Sequence, residues 1–358
     1  MKLSLAMIVK NEEENIERCL KSISNLVDEI VIVDTGSEDN TVSIAKKYTN
    51  NIYSYNWNDD FSKARNYALE KCTGDWILSL DADEYIYEGS KKDLIDFAAK
   101  NKNSIGKIEI LSNFIDGDEE SYSKVYISRF FEKGIKFIGS VHEQLNSDNK
   151  RINTNIKVKH SGYYKTNKGE RNIRLLKKEY VKNPNNNYII YQIAKALFSD
   201  KRYEEAEEYF KIAYKDLDIK KAYSRDLIIS YINNCSNISN FSDGINIIND
   251  NYKYLKESSD YNFACGIFYI NLILSDVNTY GEYVYLIEKS YLKALEIGDR
   301  DSIVLGVGSY IAAYNLGVFY ETTGNIEKAI EYYKVSAKNR YIKAINRIRV
   351  LDKTKVNS

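Results

Sequence analysis

Trp76-Ile77-Leu78-Ser79-Leu80-Asp81-Ala82-Asp83-Glu84 is an apolar run that ends abruptly in acids, and its reading decides the fold around it. A short apolar run of this kind suits a strand buried on both faces, as in parallel sheets covered by helices. Three upstream runs fit the same description: Leu3 to Val9, Glu29 to Val33 and Asn51 to Tyr55. Between them apolar residues recur at helical spacing: Ile16, Cys19, Leu20 and Ile23, then Val42, Ile44 and Ala45, then Ala64, Tyr67, Ala68 and Leu69. Strands alternating with helices predict an α/β, Rossmann-like sheet. Polar residues stand at the strand ends, as Lys10-Asn11, Asp34-Thr35-Gly36-Ser37 and Asp81-Ala82-Asp83-Glu84. Open α/β sheets bind ligands along that edge.

From Lys107 to about Gly162 the pattern becomes alternating and aromatic, as in Lys124-Val125-Tyr126-Ile127 and Lys136-Phe137-Ile138-Gly139, which predicts a mixed extension of the sheet. Lys165 to Glu170 reads as a polar connector, and everything beyond Arg171 reads as helix, punctuated by the single proline, Pro184. Ala194 and Ala206 have the same separation as Gly317 and Ala329, each small residue sitting in a Tyr- and Phe-rich helical segment. These two units resemble tetratricopeptide repeats. Ala264, Gly266 and Ala294 mark a degenerate stretch between them, with longer loops expected around Asn233 to Asn240 and Ser275 to Gly281. The division expected is residues 1–165 for the α/β domain and 166–358 for an all-α repeat domain of three to five helix pairs.

A chain of 358 residues has room for two cores. Lysine plus arginine equals aspartate plus glutamate at 51 each, so no global field favours nucleic acid or an anionic membrane. Cys19, Cys72, Cys235 and Cys265 are scattered and form no CxxC pair, which removes the common zinc and dithiol patterns. Leu3 to Val9 is too short for a signal segment or a membrane span, and acids follow it at Glu12, Glu13 and Glu14. A cytoplasmic protein with no membrane span is expected.

Asp81 and Asp83, one residue apart at a strand end, can share a divalent cation that neutralises a diphosphate. The alternative is an acidic turn that only solvates the strand end. Asp34 stands where a carboxylate can accept hydrogen bonds from a base or ribose, while Gly36 permits a tight turn and Ser37 or Asp39 can cap the next helix. Asp60 precedes Lys63 and Arg65 near a helix start, where cations and backbone amides suit phosphate contacts and ordinary surface charge is the competing reading. The two histidines, His142 and His160, are either structural hydrogen bonders or neutral ligands completing a metal shell with Asp81 and Asp83. Glu143 is the preferred candidate for a general base.

Leu5-Ala-Met-Ile-Val-Lys10-Asn11-Glu12-Glu13, Val33-Asp34-Thr-Gly-Ser37, Asp60-Phe-Ser-Lys-Ala-Arg65-Asn66 and Asp81-Ala-Asp83 occur in that order. This series resembles family 2 glycosyltransferases with the GT-A fold. Arg129-Phe130-Phe131, Gly139-Ser-Val-His142-Glu143 and His160-Ser-Gly162-Tyr163 resemble later motifs of a subgroup that carries tetratricopeptide repeats and includes sublancin-type peptide S-glycosyltransferases.

The resemblance implies that Val9, Asn11, Glu12, Asp34, Gly36 and Ser37 hold the nucleoside. Asp81 and Ala82 would lie at the ribose, Asp83 at the metal, and Asp60, Lys63 and Arg65 beside base or phosphate. It further implies Mn²⁺ or Mg²⁺ and a uridine diphosphate sugar, UDP-glucose or UDP-N-acetylglucosamine, used by an inverting hexosyltransferase. Many members carry a Glu-Asp dipeptide as base where this chain has His142-Glu143. The repeats point to a protein or peptide acceptor. Alternatives are a glycolipid or cell-surface polysaccharide acceptor, or an inactive interaction module, and repeats also serve as homodimer surfaces.

Overall fold

The structure is a computed structural model and describes residues 1–116, 119–160, 168–300 and 302–356. Ser161, Gly162 and Tyr163 of the last motif, and the connector from Lys165 to Asn167, lie outside the described residues. The chain divides into two units, Met1–Val181 and Lys182–Ser358.

The first unit runs β1 (Leu3–Val9), α1 (Ile16–Ile23), β2 (Glu29–Asp34), α2 (Thr41–Ala45), β3 (Ile52–Ser54), α3 (Phe61–Lys71), β4 (Trp76–Ser79) and β5 (Glu84–Glu88). It continues with α4 (Lys91–Lys100), β6 (Ser104–Asp116), β7 (Glu119–Glu132), β8 (Phe137–Ile138), β9 (Gln144–Leu145), β10 (Lys150–His160) and α5 (Lys168–Lys182). Eight strands form one sheet in the order β3-β2-β1-β4-β7-β6-β10-β5. Strands β3, β2, β1 and β4 are parallel, and β7 joins β4 antiparallel, which makes the sheet mixed.

Strand β1 shows why the apolar runs are continuous. Leu3, Leu5, Met7 and Val9 face a core with Ile16, Cys19, Leu20 and Ile23 of α1 and Leu94 and Phe97 of α4. Ala6 faces the other side, toward Ala68, Leu69 and Cys72 around α3. The chain leaves β1 toward β2 on one side and returns as β4 on the other, so the strand order reverses there and the carboxyl ends of β1, β2 and β4 share one edge of the sheet, where such folds bind ligands. Helix α5 belongs with this unit: Arg174 and Lys178 pair with Asp59 at 2.8 and 2.7 Å, and Ser140 donates to Glu179 at 3.0 Å. The residues that group with the sheet therefore extend past the 165/166 division drawn from the sequence.

At the opposite end of the sheet, Glu29 staples three segments. It accepts from the Thr73 amide and hydroxyl, both at 2.7 Å, from Ser4 and from Lys2. Burial works against its charge, but these hydrogen bonds outweigh it and bring the carboxyl from 4.5 down to about 2. A depressed carboxylate contributes stability that is fully present above its unfolded value and is lost as pH falls through the folded one. Glu29→Gln should cost about 2 kcal/mol at neutral pH, since bonds to a charged acceptor are the strong ones. Urea melts at pH 7 and pH 2.5 should show that deficit shrinking with acid, and an equal deficit at both would overturn the assignment.

The second unit contains α6 (Asn187–Ser199), α7 (Tyr203–Lys215), α8 (Ser224–Asn237), α9 (Phe241–Leu255), α10 (Ser259–Ser275), α11 (Val277–Tyr280), α12 (Val284–Ile297), α13 (Tyr310–Thr322), α14 (Ile326–Ala337) and α15 (Ile342–Val356). Among the described residues α6 packs on α7, α8 on α9, α10 on α12 and α13 on α14, which makes four helix pairs. Ala194 and Ala206 are fully buried, and a Cβ on Gly317 would lie 2.6 Å from the Tyr333 ring. Gly266 meets Tyr291 in the same way at 2.7 Å, which explains the degenerate middle repeat. The expected loop at 233–240 is mostly helix, because α8 runs to Asn237. Asn234, polar in sequence, is buried and donates to Glu207 at 3.0 Å and to the Tyr203 carbonyl at 3.1 Å. The stretch from Ser275 to Gly281 likewise holds the single turn α11. No helix among the described residues is long and apolar enough to cross a membrane.

Candidate active site

Helix α3 begins at an Asp60 cap, whose carboxylate accepts from the Lys63 amide at 3.1 Å and the Ser62 hydroxyl at 2.7 Å. Lys63 lies outward, 63% exposed, and its ammonium sits 3.5 Å from Asp60. Arg65 lies inward with Ala68 and Leu69 and is only 7% exposed. Its guanidinium joins two distant acids. Nη2 donates to Asp81 Oδ1 at 2.7 Å, and Nε donates to Glu143. Asn66 braces the segment leading to Glu143, holding the Phe137 amide at 2.8 Å and its carbonyl at 2.9 Å.

The second oxygen of Asp81 is held by Arg129 of β7, at 2.8 Å. Arg129 also donates to Glu84 at 3.3 Å, and Glu84 in turn accepts from the Asp81 amide at 2.9 Å. Burial alone would raise the Asp81 carboxyl, yet Arg129 and Arg65 hold it well below the ordinary carboxylate range. Glu84 moves the other way, raised by burial and by the Asp81 charge against the pull of Arg129.

Asp83 is 6% exposed and lies beside His160, with Nε2 to Oδ2 at 3.2 Å. The register of β10 against β5, which pairs His160 with Glu84, brings them together. Burial disfavours the imidazolium, but the hydrogen bond to Asp83 and the negative field of Asp83, Glu84 and Asp81 raise its pKa overall. A carboxylate oxygen beside an imidazole nitrogen fits a divalent metal whose remaining positions come from phosphate and water. Asp81 does not fit the same role, since both of its oxygens carry guanidinium partners. His142 stands exposed on the β8–β9 connection at φ +51°, beside the inward Glu143. Among the described residues no three histidine, cysteine or acidic side chains gather for a metal; of Asp81, Asp83, His142 and His160, the structure sets Asp83 and His160 side by side.

The loops after β1 and β2 are tied to one another. Val9 is buried and its carbonyl accepts from the Thr35 amide at 2.9 Å. Asn11, at φ +54°, donates through its amide to Ser37 Oγ at 3.0 Å and accepts from the Glu38 amide at 2.8 Å. The Glu12 amide reaches Thr41 Oγ1 at 2.7 Å. Asp34 spends its carboxylate on the turn, accepting from the Gly36 and Ser37 amides at 3.2 Å, and Gly36 supplies the φ of +103°. Ala82 is buried in the main core, so the middle residue of Asp-Ala-Asp anchors the loop. Arg129 and Glu84 received no role from the sequence. The available signal was a lone arginine inside the apolar strand Tyr126-Ile-Ser-Arg129-Phe-Phe131.

The Asp-x-Asp loop thus follows β4 beside the point where the strand order reverses, and two buried arginines brace it. Residues 4–169 match the family model described as Glycosyl transferase family 2, so this segment is a domain of that family. The SPbeta prophage-derived glycosyltransferase SunS of Bacillus subtilis is 30% identical over 231 residues, covering 58% of this chain and 52% of that protein. A TPR repeat-containing protein of Synechococcus elongatus is 51% identical over 82 residues, 23% of this chain and 20% of its own length. The chain thus spans about half, or less, of the length of these curated relatives. The crystal structure of S. aureus TarS 1-349 in complex with UDP-GlcNAc covers 95% of this chain and 92% of its own, at 15% identity and a TM-score of 0.37, too loose a likeness to place any residue.

Proposed function

We propose that the protein is an inverting, cytoplasmic glycosyltransferase that moves a hexose from a UDP-sugar to a protein or peptide acceptor. The observation that carries this reading is Arg65, which ties Asp81 of the Asp-x-Asp loop to Glu143. Family 2 membership of residues 4–169 supports the reaction class, and the helical repeats support an extended polypeptide acceptor.

Asp83 and His160 are the residues that would hold Mn²⁺ or Mg²⁺. Such a cation, when bound, stabilises the charge that develops on a departing diphosphate. The chain's own residues do the rest. Arg65 and Arg129 fix Asp81 toward the donor, and Glu143 takes the proton of the acceptor as it attacks the anomeric carbon. The new bond forms at that carbon on the face opposite the leaving group.

A thermal-shift panel of nucleotide sugars with and without Mn²⁺ tests the proposal, because a specific ligand stabilises by mass action. One UDP-sugar should stand out, and should be hydrolysed slowly without acceptor. No shift and no hydrolysis with any nucleotide sugar would sink it. Glu143→Gln keeps an oxygen for Arg65 but cannot accept a proton. We expect it to bind donor as the wild type does and to lose about 10²-fold or more in transfer to an alcohol acceptor. Full transfer would exclude Glu143 as base.

A further inference from the structure

We propose that Arg129 is a positioning residue, which with Glu84 locks Asp81 as a donor-facing hydrogen-bond acceptor and withholds it from the cation. The inference rests on the transferase reading above. Its basis is a closed ring of contacts. Arg129 Nη2 donates to Asp81 Oδ2 at 2.8 Å and to Glu84 Oε1 at 3.3 Å, while Glu84 Oε2 accepts the Asp81 amide at 2.9 Å. The side chain and the backbone of Asp81 are thereby held by one pair of residues.

Exposure shows which member faces outward. The side chains of Arg65, Arg129 and Glu84 are 8%, 10% and 4% exposed, whereas that of Asp81 is 32% exposed. Each Asp81 oxygen already carries one guanidinium hydrogen and keeps a lone pair. A carboxylate neutralised from two sides attracts a third cation weakly but still accepts a neutral hydroxyl. Asp83, two residues on, has an imidazole beside it instead of a guanidinium. The two acids of one short motif are thus sorted by their neighbours into different tasks.

Arg129 also carries a buried Nε–H with no acceptor among the described residues. An arginine set in an apolar strand with one donor unmet is poor packing, which argues that its contacts to Asp81 and Glu84 are the reason for it.

The test uses the full chain, with the UDP-sugar found in the thermal-shift panel as probe, and Arg129→Lys and Glu84→Gln as variants. Lysine keeps the charge but cannot span both acids. Arg129→Lys should raise the donor KM for hydrolysis by about tenfold, with kcat within about threefold and the Mn²⁺ half-saturation unchanged. Glu84→Gln should raise KM by about threefold with the melting temperature kept, and it carries the test if the lysine variant folds poorly. A folded Arg129→Lys protein with wild-type KM overturns the inference. So does a change confined to Mn²⁺ half-saturation, or a parallel fall in kcat, donor affinity and melting temperature. A wild-type protein that binds no nucleotide sugar overturns the transferase reading and this inference together.

Discussion

Asp83→Asn should leave a folded protein whose Mn²⁺-stimulated turnover of donor is lower by about 10³-fold, the scale of removing a main electrostatic stabiliser of a leaving group. Asparagine keeps the size of the side chain and one acceptor oxygen for His160, so packing at this buried position is preserved. The charge is what disappears. Without it the imidazole alone would have to hold the cation, and charge developing on a departing diphosphate would go unneutralised. Donor binding without Mn²⁺ should change little, because the residues proposed to surround the nucleoside lie on the β1 and β2 loops and at Asp81. The decisive pair of measurements is the Mn²⁺-dependent thermal shift and the rate of donor hydrolysis. An Asp83→Asn enzyme that still responds to Mn²⁺ and turns over at the wild-type rate would show that the cation sits elsewhere.

Much of the first unit was legible because its strands are covered on both faces. Leu3–Val9 is a run of apolar residues with no alternation to misread, and its observed limits are those expected. The edge strand β3 came out shorter than the Asn51 to Tyr55 run, since only β2 pairs with it. The site was legible one loop at a time, because each strand end carries its own polar residues. Its wiring was not. Arg65, Asp81, Arg129 and Glu143 come from separate elements, and no local pattern says which charges meet. The helix phase of α3 did hold a clue. Arg65 is in step with Ala68 and Leu69, three and four residues on, whereas Lys63 is not, which separates the buried cation from the exposed one. In the repeats, Asn234 was misread because asparagine favours loops, while here Glu207 and the Tyr203 carbonyl of α7 accept from its side-chain amide at the contact with α8.

Arg65→Met should cost about 3 kcal/mol or more of stability in the first unit and remove transfer as well, because breaking a buried ion pair strands its partners. Methionine fills similar volume, so the loss is not a cavity effect. Asp81 would keep Arg129, but Glu143, its side chain 12% exposed, would lose its one ion-pair partner among the described residues. The two consequences separate in a double-mutant cycle. If the cost of Arg65→Met comes from a stranded carboxylate, adding Glu143→Gln should recover part of the lost stability, since a neutral amide is cheaper to leave in that position than a charge. Activity should not return, because Asp81 has then lost one of its two guanidinium braces and the base is missing. Urea unfolding of the four proteins reads the first quantity and donor hydrolysis the second. Strict additivity of the two stability losses would mean that Arg65 and Glu143 do not interact in the folded chain, and the link between the Asp-x-Asp loop and the base would fall with it.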